Sequence, residues 1–203
     1  MTDFASNVKE KTSSLSIKHL VLFCALNCEK LLPSYVAFSN SEEWGDAEFF
    51  KKTLTNVYDL LVSENEDFDN LVAFEDLEEN SPDLDEFDSN IASYAFDTCC
   101  AFDELFQFLS TSEIEHVLNN SQHCVNTVDM FIQQKEGIDH TSFDDIQDLE
   151  TLIAQDHYML REHKRQLTLL DEINKVIAIN IENIESIRSI NLNFGSMIDY
   201  SLL

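Results

Sequence analysis

The sequence predicts an all-α protein, a single-domain bundle of about seven to eight helices. Scarce turn residues are the first reason: three Gly and two Pro in 203 residues leave too little punctuation for a β-sandwich or a Rossmann-type sheet. Apolar residues recurring three and four apart through most of the chain are the second. The third is a 44% apolar content with fifteen Phe, since disorder requires low hydrophobicity as well as high charge. A chain of this length can enclose one sizeable core.

Residues 1–14 are polar and aperiodic and read as a flexible lead-in, with residues 15–203 as the helical domain. The first helix, 16–32, carries Ile17, Leu20, Val21, Cys24, Cys28, Leu31 and Leu32 on a stripe broad enough for a central position. Pro33 is expected to break or restart it, leaving "PSYVAFSN" as a short second helix. Asp46 caps a third helix that runs to about Val62, with Phe50, Leu54, Val57 and Leu61 inward. Trp44, just before that cap, reads as a staple on the core in preference to an exposed recognition anchor.

A helix over residues 67–78 turns Leu71, Phe74 and Leu77 inward, and "NSPDLDEFDSN" is the loop after it. Ser89 or Asn90 opens a strongly apolar helix reaching Leu109, the most buried element expected. Ser112 and Glu115 have capping-box spacing ahead of a helix that buries Ile114, Val117, Leu118, Val125, Val128 and Phe131. Another helix starts near Phe143 and continues past Arg165, with Ile146, Leu149, Ile153 and Leu160 at helical spacing. In the Ile- and Asn-rich tail, Ile173, Ile177, Ile181, Ile184 and Ile187 extend helix to about Ser189, with strand as the alternative.

Charge narrows the function classes. Twelve Lys and Arg stand against thirty-nine Asp and Glu, a net −27, and the 82 residues between Lys52 and Lys135 hold nineteen acids and no Lys or Arg. Such a surface repels nucleic acid and anionic membrane. The five cysteines lie in apolar segments, and Cys24 and Cys28 stand four apart, the spacing of neither a zinc knuckle nor a redox pair. They read as buried thiols in a reducing compartment. The N-terminus lacks an apolar core and no uncharged run approaches the ~18 residues of a membrane span, so a cytoplasmic location is expected.

No Gly-rich loop exists to cradle a phosphate or a dinucleotide, and no cofactor is expected. Glu113 and His116 form a single Glu-x-x-His where a di-iron bundle uses two, so no metal site is expected either. His116 and His123 share a helix face. Asp97, Asp103 and Glu104 are polar positions in an apolar helix; Asp97 is expected to face inward and to meet Lys30, Lys51 or Lys52. No serine or cysteine nucleophile signature is present, and no catalytic residue is assigned.

Residues 27–61, "NCEKLLPSYVAFSNSEEWGDAEFFKKTLTNVYDLL", carry Cys28, Glu29, Lys30, Pro33, Tyr35, Phe38, Gly45, Asp46, Lys51 and Lys52 in an order that resembles the YjaG-like family, domain-of-unknown-function family 416. The proline–aspartate loop at Pro82 and the Asp97, Cys99 and Ala101 core of the following helix are similar to that family, as is "SEIEHVLNNSQHCVNTVDMFI". The resemblance is strongest over residues 15–153. Lys30 stands where relatives usually have arginine and Ser34 where they have asparagine. The resemblance implies an all-helical bacterial cytosolic fold, and it implies no activity.

Acids interleaved with aromatics suit a surface for a basic protein partner. The residues expected to form it are Glu64, Glu66, Asp67, Phe68, Asp69, Glu75, Asp76, Glu78, Glu79, Asp83, Asp85, Glu86, Phe87 and Asp88. The function expected is non-catalytic binding of a basic macromolecule, as in an immunity or inhibitor protein against a nuclease-type toxin. One alternative is a metal- or carboxylate-dependent enzyme, which would bring Asp97, Glu113 and His116 into one pocket. A structural or regulatory subunit, with acids spread over all faces, is the other.

Overall fold

The most apolar segment becomes the axis of the molecule. In a computed structural model, which describes residues 4–63, 68–87, 89–138 and 146–202, that segment is α2, Ile17–Glu42. Its length and composition would suit a membrane span, yet its apolar surface is taken up by the helices around it. These are α3 (Ala47–Val62), α5 (Asn90–Thr111), α6 (Ile114–Lys135), α8 (His157–Lys175) and α9 (Ile181–Asn193). The outer elements are α1 (Phe4–Thr12), α4 (Phe74–Glu79) and α7 (Ile146–Gln155), with 3₁₀ turns at Asp69–Leu71 and Tyr200–Leu202. The fold is an all-α single domain, with nine α-helices and no strand among the described residues.

Several expected boundaries are corrected. Pro33 sits inside α2 and does not end it. Its ring is exposed, and α5 fixes the helix on the opposite side, where the Thr98 hydroxyl donates to the Leu31 carbonyl at 3.2 Å. Residues 4–12, within the expected lead-in, form α1, which lays Val8 into the core and stacks Phe4 on His163 at 4.0 Å. Ser112 is no capping-box residue: it ends α5 in the left-handed conformation (φ 59°), and its N–H donates to the Phe108 carbonyl at 2.8 Å. The helix expected from Phe143 starts outside the described residues and is two helices, divided where the Asp156 carboxylate accepts from the Tyr158 N–H at 2.8 Å. That new start shifts the phase, so Leu160 is 54% exposed while Met159, Leu169, Leu170 and Ile173 are buried.

The tail is helical as expected but interrupted. α8 stops at Lys175, and α9 restarts where the Asn180 side chain accepts from the Asn183 N–H at 2.9 Å. The break leaves Ile177 fully in solvent and Ile181 exposed, while Ile184 and Ile187 reach the core.

The polar centre of the bundle has no counterpart in the sequence reading. Arg165 on α8 is 1% exposed. It donates from Nε and Nη2 to Glu162 at 2.8 and 2.6 Å, from Nη1 to Asn191 Oδ1 at 2.9 Å and from Nη2 to Asn27 Oδ1 at 2.9 Å. Asn27 donates to Asn120 Oδ1 at 3.1 Å, Asn120 to the Ala101 carbonyl at 2.8 Å, and Asn191 to the Leu26 carbonyl at 3.0 Å. One guanidinium therefore links α2, α5, α6, α8 and α9. Burial pulls its pKa down, but the Glu162 carboxylate outweighs that and leaves it raised.

Two outcomes follow for stability. Arg165→Met strands Glu162 without its cation and is expected to cost about 3–5 kcal/mol in chemical denaturation, part of it recovered by adding Glu162→Leu; a cost below about 1 kcal/mol would contradict the central role. The second concerns alkaline pH. Burial pushes all five thiols upward, Cys99 and Cys100 to about 12. The folded state holds these protons where the unfolded chain releases them, so the stability they lend is complete below the unfolded thiol pKa and is lost as pH rises above it. Each thiol should withdraw about 2 kcal/mol between pH 8 and 10. Lys30 opposes this. Burial, and then Arg165, lower it from 10.5 to about 8, so its contribution grows with pH through that window. Denaturation across pH 8–10 should show a net loss, reduced in Cys24→Ala.

Candidate functional site

The acid-rich segment folds as it does because little of it is apolar. α4 buries only Leu77, against α5, so Glu75, Asp76, Glu78 and Glu79 face outward. Beyond it, Asp83 Oδ1 accepts from the Asp85 N–H at 2.9 Å and closes a turn that leaves Asp83, Asp85 and Glu86 exposed. Among the described residues, none of these seven carboxylates makes an ion pair. Exposed acids occur on the other helices too, but several of those meet a cation, as in Lys11 with Asp171, Lys51 with Glu48 and Lys175 with Glu172. Others, such as Glu115 on α6, Glu150 on α7 and Glu182 and Glu185 on α9, make no ion pair among the described residues either, so the α4 flank is distinguished by the density of its acids, all seven lying within residues 75–86.

A knot of hydrogen bonds fixes this flank to the bundle. Tyr35 donates to the Asn80 carbonyl at 2.7 Å, the Asp46 N–H donates to Asn80 Oδ1 at 2.7 Å, and Asn80 Nδ2 donates to the Asp76 carbonyl at 2.8 Å. Gly45 makes the approach possible: its φ is +74°, and a Cβ there would lie 2.2 Å from the Tyr35 hydroxyl. Asp46 caps α3 as the sequence suggests, its carboxylate accepting from the Glu48 N–H at 2.9 Å.

The two aromatics expected on the docking surface are partly withdrawn from it. Phe87 packs edge-on against Phe38 at 5.1 Å and beside Trp44 at 5.3 Å, and Phe68 is half-buried against the core. Trp44 is half-buried in that same aromatic group, in the staple position. Phe74, expected inward, is instead 37% exposed, with its ring edge-on to Phe106 at 5.8 Å. Glu64, Glu66, Asp67 and Asp88 lie outside the described residues, as does the Asp69 side chain.

Between α4 and the α5–α6 pair runs a groove of about 530 Å³. Leu77 and Cys99 lie along its base, Phe74 and Glu78 on its α4 side, and Asp103, Glu104 and His123 on the other. Glu104 is held by His116 Nδ1 at 2.7 Å and accepts from Asn119 Nδ2 at 3.1 Å. Burial, and then the Glu104 charge, hold the Asp103 carboxyl above its ordinary range. Cys100 also lines the groove; burial and the surrounding acids push it to about 12, so it stays a thiol and a poor nucleophile at neutral pH.

The trio expected of an enzyme does not assemble. Asp97 and His116 do not line the groove but each contacts a residue that does, His116 meeting Glu104 and Asp97 lying 3.5 Å from His123 Nδ1 while it accepts from the Thr127 hydroxyl at 2.8 Å, and Glu113 is exposed at the start of α6. Asp97 does face inward, but none of its expected lysine partners reaches it. Lys30 donates to the Asn191 and Gly195 carbonyls at the far end of α9, Lys51 pairs with Glu48, and Lys52 is exposed. Among the described residues no group of three or more His, Cys, Asp or Glu could hold a metal. Sequence reasoning missed the pairing of Glu104 with His116 and Asn119 because it joins two helices. Its local trace is Glu104 as one of three acids, with Asp97 and Asp103, on a strongly apolar helix.

Comparison with known proteins bears out the resemblance and extends it. The family model "Protein of unknown function (DUF416)" matches residues 7–196. The chain is 29% identical over 122 residues to "Uncharacterized protein YjaG" of Salmonella typhimurium, covering 60% of this chain and 62% of that one. It is 29% identical over 118 residues to the Escherichia coli protein of the same name, covering 58% and 60%. These matches span about three fifths of the relatives' length. A crystal structure of a DUF416 family protein from Shewanella baltica superposes with a TM-score of 0.79 at 24% identity, covering 98% of each chain, a likeness of fold.

Gly45→Ala should destabilise the protein by roughly 1–3 kcal/mol in thermal or chemical melts, because the new Cβ meets the Tyr35 hydroxyl in a left-handed backbone. The double variant Gly45→Ala/Tyr35→Phe should be less destabilised than the sum of the two changes. Strict additivity would show that the close approach is unimportant.

Proposed function

We propose that this chain, which belongs to the DUF416 family, is a non-catalytic docking protein whose α4 flank receives a basic macromolecular partner. The observation that carries the reading is the row of seven exposed carboxylates on α4 and its following turn, none paired with a cation among the described residues. Coulomb repulsion among fixed acids of one sign is relieved when a cationic surface arrives, and such fields speed and orient encounter. In its finer form the proposal makes the partner a nuclease-type toxin and this chain its immunity or inhibitor protein. A nuclease presents cations for phosphate, and a fixed row of carboxylates offers those cations an alternative. Five free cysteines support a reducing, cytoplasmic setting for the encounter.

Capture of partners on immobilised protein tests the reading. At ~50 mM salt the wild type should retain a basic protein that is released by ~300 mM. The folded variant Glu75→Lys/Glu79→Lys/Glu86→Lys should bind that protein at least about tenfold more weakly. Equal retention by both proteins, or retention indifferent to salt, would end the docking proposal.

A further inference from the structure

We infer that the groove between α4 and α5 is the anchor subsite of this flank, shaped for an arginine side chain of the partner. The inference rests on the docking reading above and assigns its centre. An exposed acidic row orients a partner but does not hold it, because surface ion pairs are individually weak. A complex gains its grip where a side chain is desolvated in a pocket. Of the concavities near the acids, this groove offers apolar contact and opposite charge together. Leu77 and Cys99 provide an apolar base, and the partly exposed Phe74 ring stands at its side. Its carboxylates come from two directions, Glu78 on α4 and Asp103 and Glu104 on α5.

Charge selects the class of occupant. No Lys or Arg occurs between Lys52 and Lys135, so the positive charge that α4, α5 and the α6 wall bring to the groove comes from histidine alone. His123 lines that wall, and His116, outside the lining, bonds to Glu104. Asp103 and Glu104 are neighbours, and the elevated Asp103 carboxyl reflects burial and then its neighbour's charge, which together outweigh the opposing influence of Gln107, His116 and His123. A cation entering here relieves an existing repulsion. Shape then favours guanidinium over ammonium: it is planar, less strongly hydrated, stacks on an aromatic ring, and carries five N–H donors that can divide between carboxylates on two helices. At about 530 Å³ the groove lies in the range of ligand sites and also accommodates the residue beside the arginine.

Fluorescence anisotropy with three labelled twelve-residue peptides, matched except for four arginines, four lysines or four citrullines, tests the assignment. The proteins compared are the wild type, Asp103→Asn, Glu78→Gln, Phe74→Ala and the outer charge-reversal triple variant, each verified as folded by circular dichroism. The arginine peptide should bind at least about fivefold more tightly than the lysine peptide, and the neutral citrulline peptide should not bind. Each groove variant should weaken arginine binding by at least about fivefold and reduce the preference over lysine. Equal binding of arginine and lysine, or groove variants indistinguishable from wild type while the outer triple variant loses binding, would overturn the arginine subsite and leave the docking flank standing. Loss in the groove variants with no loss in the outer triple variant would support the subsite and overturn the flank. Binding of no peptide at all would overturn both.

Discussion

The structure depends on a buried arginine. Arg165 lies at 1% exposure where apolar packing would normally fill the space, and a charge in such a place is tolerable only when its donors are satisfied. Glu162, Asn191 and Asn27 satisfy them, and Asn120 continues the chain of bonds to the α5 backbone. Glu162 lies one turn away on α8, but Asn27 and Asn191 come from residues far apart in sequence, so the correct docking of α8 and α9 onto α2 is what completes the network. A misregistered α8 would bury the cation with Glu162 as its acceptor and the rest of its donors unmet. Apolar surface drives the bundle together, and the arginine discriminates among the ways it could do so. The alternate claim, that such pairs mainly add stability, is weaker, because well-packed apolar substitutes for buried pairs often serve as well.

How much of this was legible varies by element, and for physical reasons. α3, α5 and most of α6 were readable because each lays one apolar stripe on α2 or on a neighbour, and burial follows the helical period: Phe50, Leu54, Val57 and Leu61 on α3, Ala92, Cys99, Phe102 and Leu109 on α5, Val117, Val128 and Phe131 on α6, whose expected Ile114 is instead 39% exposed. The breaks were less readable. Asp156 and Asn180 each cap a new helix with a side chain that could equally have stayed solvated in a continuous one. Pro33 shows the opposite error, since a local breaker yields when flanking turns are held by tertiary contacts. The polar network was invisible for a related reason: Asn27, Asn120, Asn191 and Arg165 each look like a stray polar residue, and only the fold makes them partners. At the candidate site the exposure of the acids on α4 followed from composition, while Phe74 facing the groove and Phe87 turning away from solvent did not.

Charge partition along the chain becomes partition in space. Every Lys and Arg lies before residue 53 or after residue 134, which places them on α1, α2, the start of α3, the last turn of α6, and α8 and α9. α4 and α5 pack together and carry none. Cations elsewhere also serve internal ends: Arg188 bonds to Glu29 from Nε at 2.9 Å and lies 4.6 Å from the Tyr58 ring, and Lys135 donates to Asp156 at 2.7 Å. Acids beside such residues are partly neutralised within the chain. Those on α4 make no ion pair among the described residues, and their field extends into solvent over about a Debye length.

The two organising features are also mechanically separate, which bears on what the flank is for. Arg165 gathers α2, α5, α6, α8 and α9, whereas α4 is held by Leu77 and by the knot of Tyr35, Gly45, Asp46 and Asn80. The exposed acids contribute to neither. Removing them would relieve repulsion and leave both the network and the knot intact; Asp83 closes its turn and Glu75 and Asp76 suit the first turn of α4, but stability gives no comparable reason for Glu78, Glu79, Asp85 and Glu86, which make no ion pair among the described residues. Solubility would be served equally by acids on any exposed face, and acids are present on α6, α7 and α9. What solubility does not require is that α4 be clamped so firmly. A buried tyrosine bonded to Asn80 and a left-handed glycine beside it fix the direction in which these charges point, and a fixed direction is useful to a surface that must match another one.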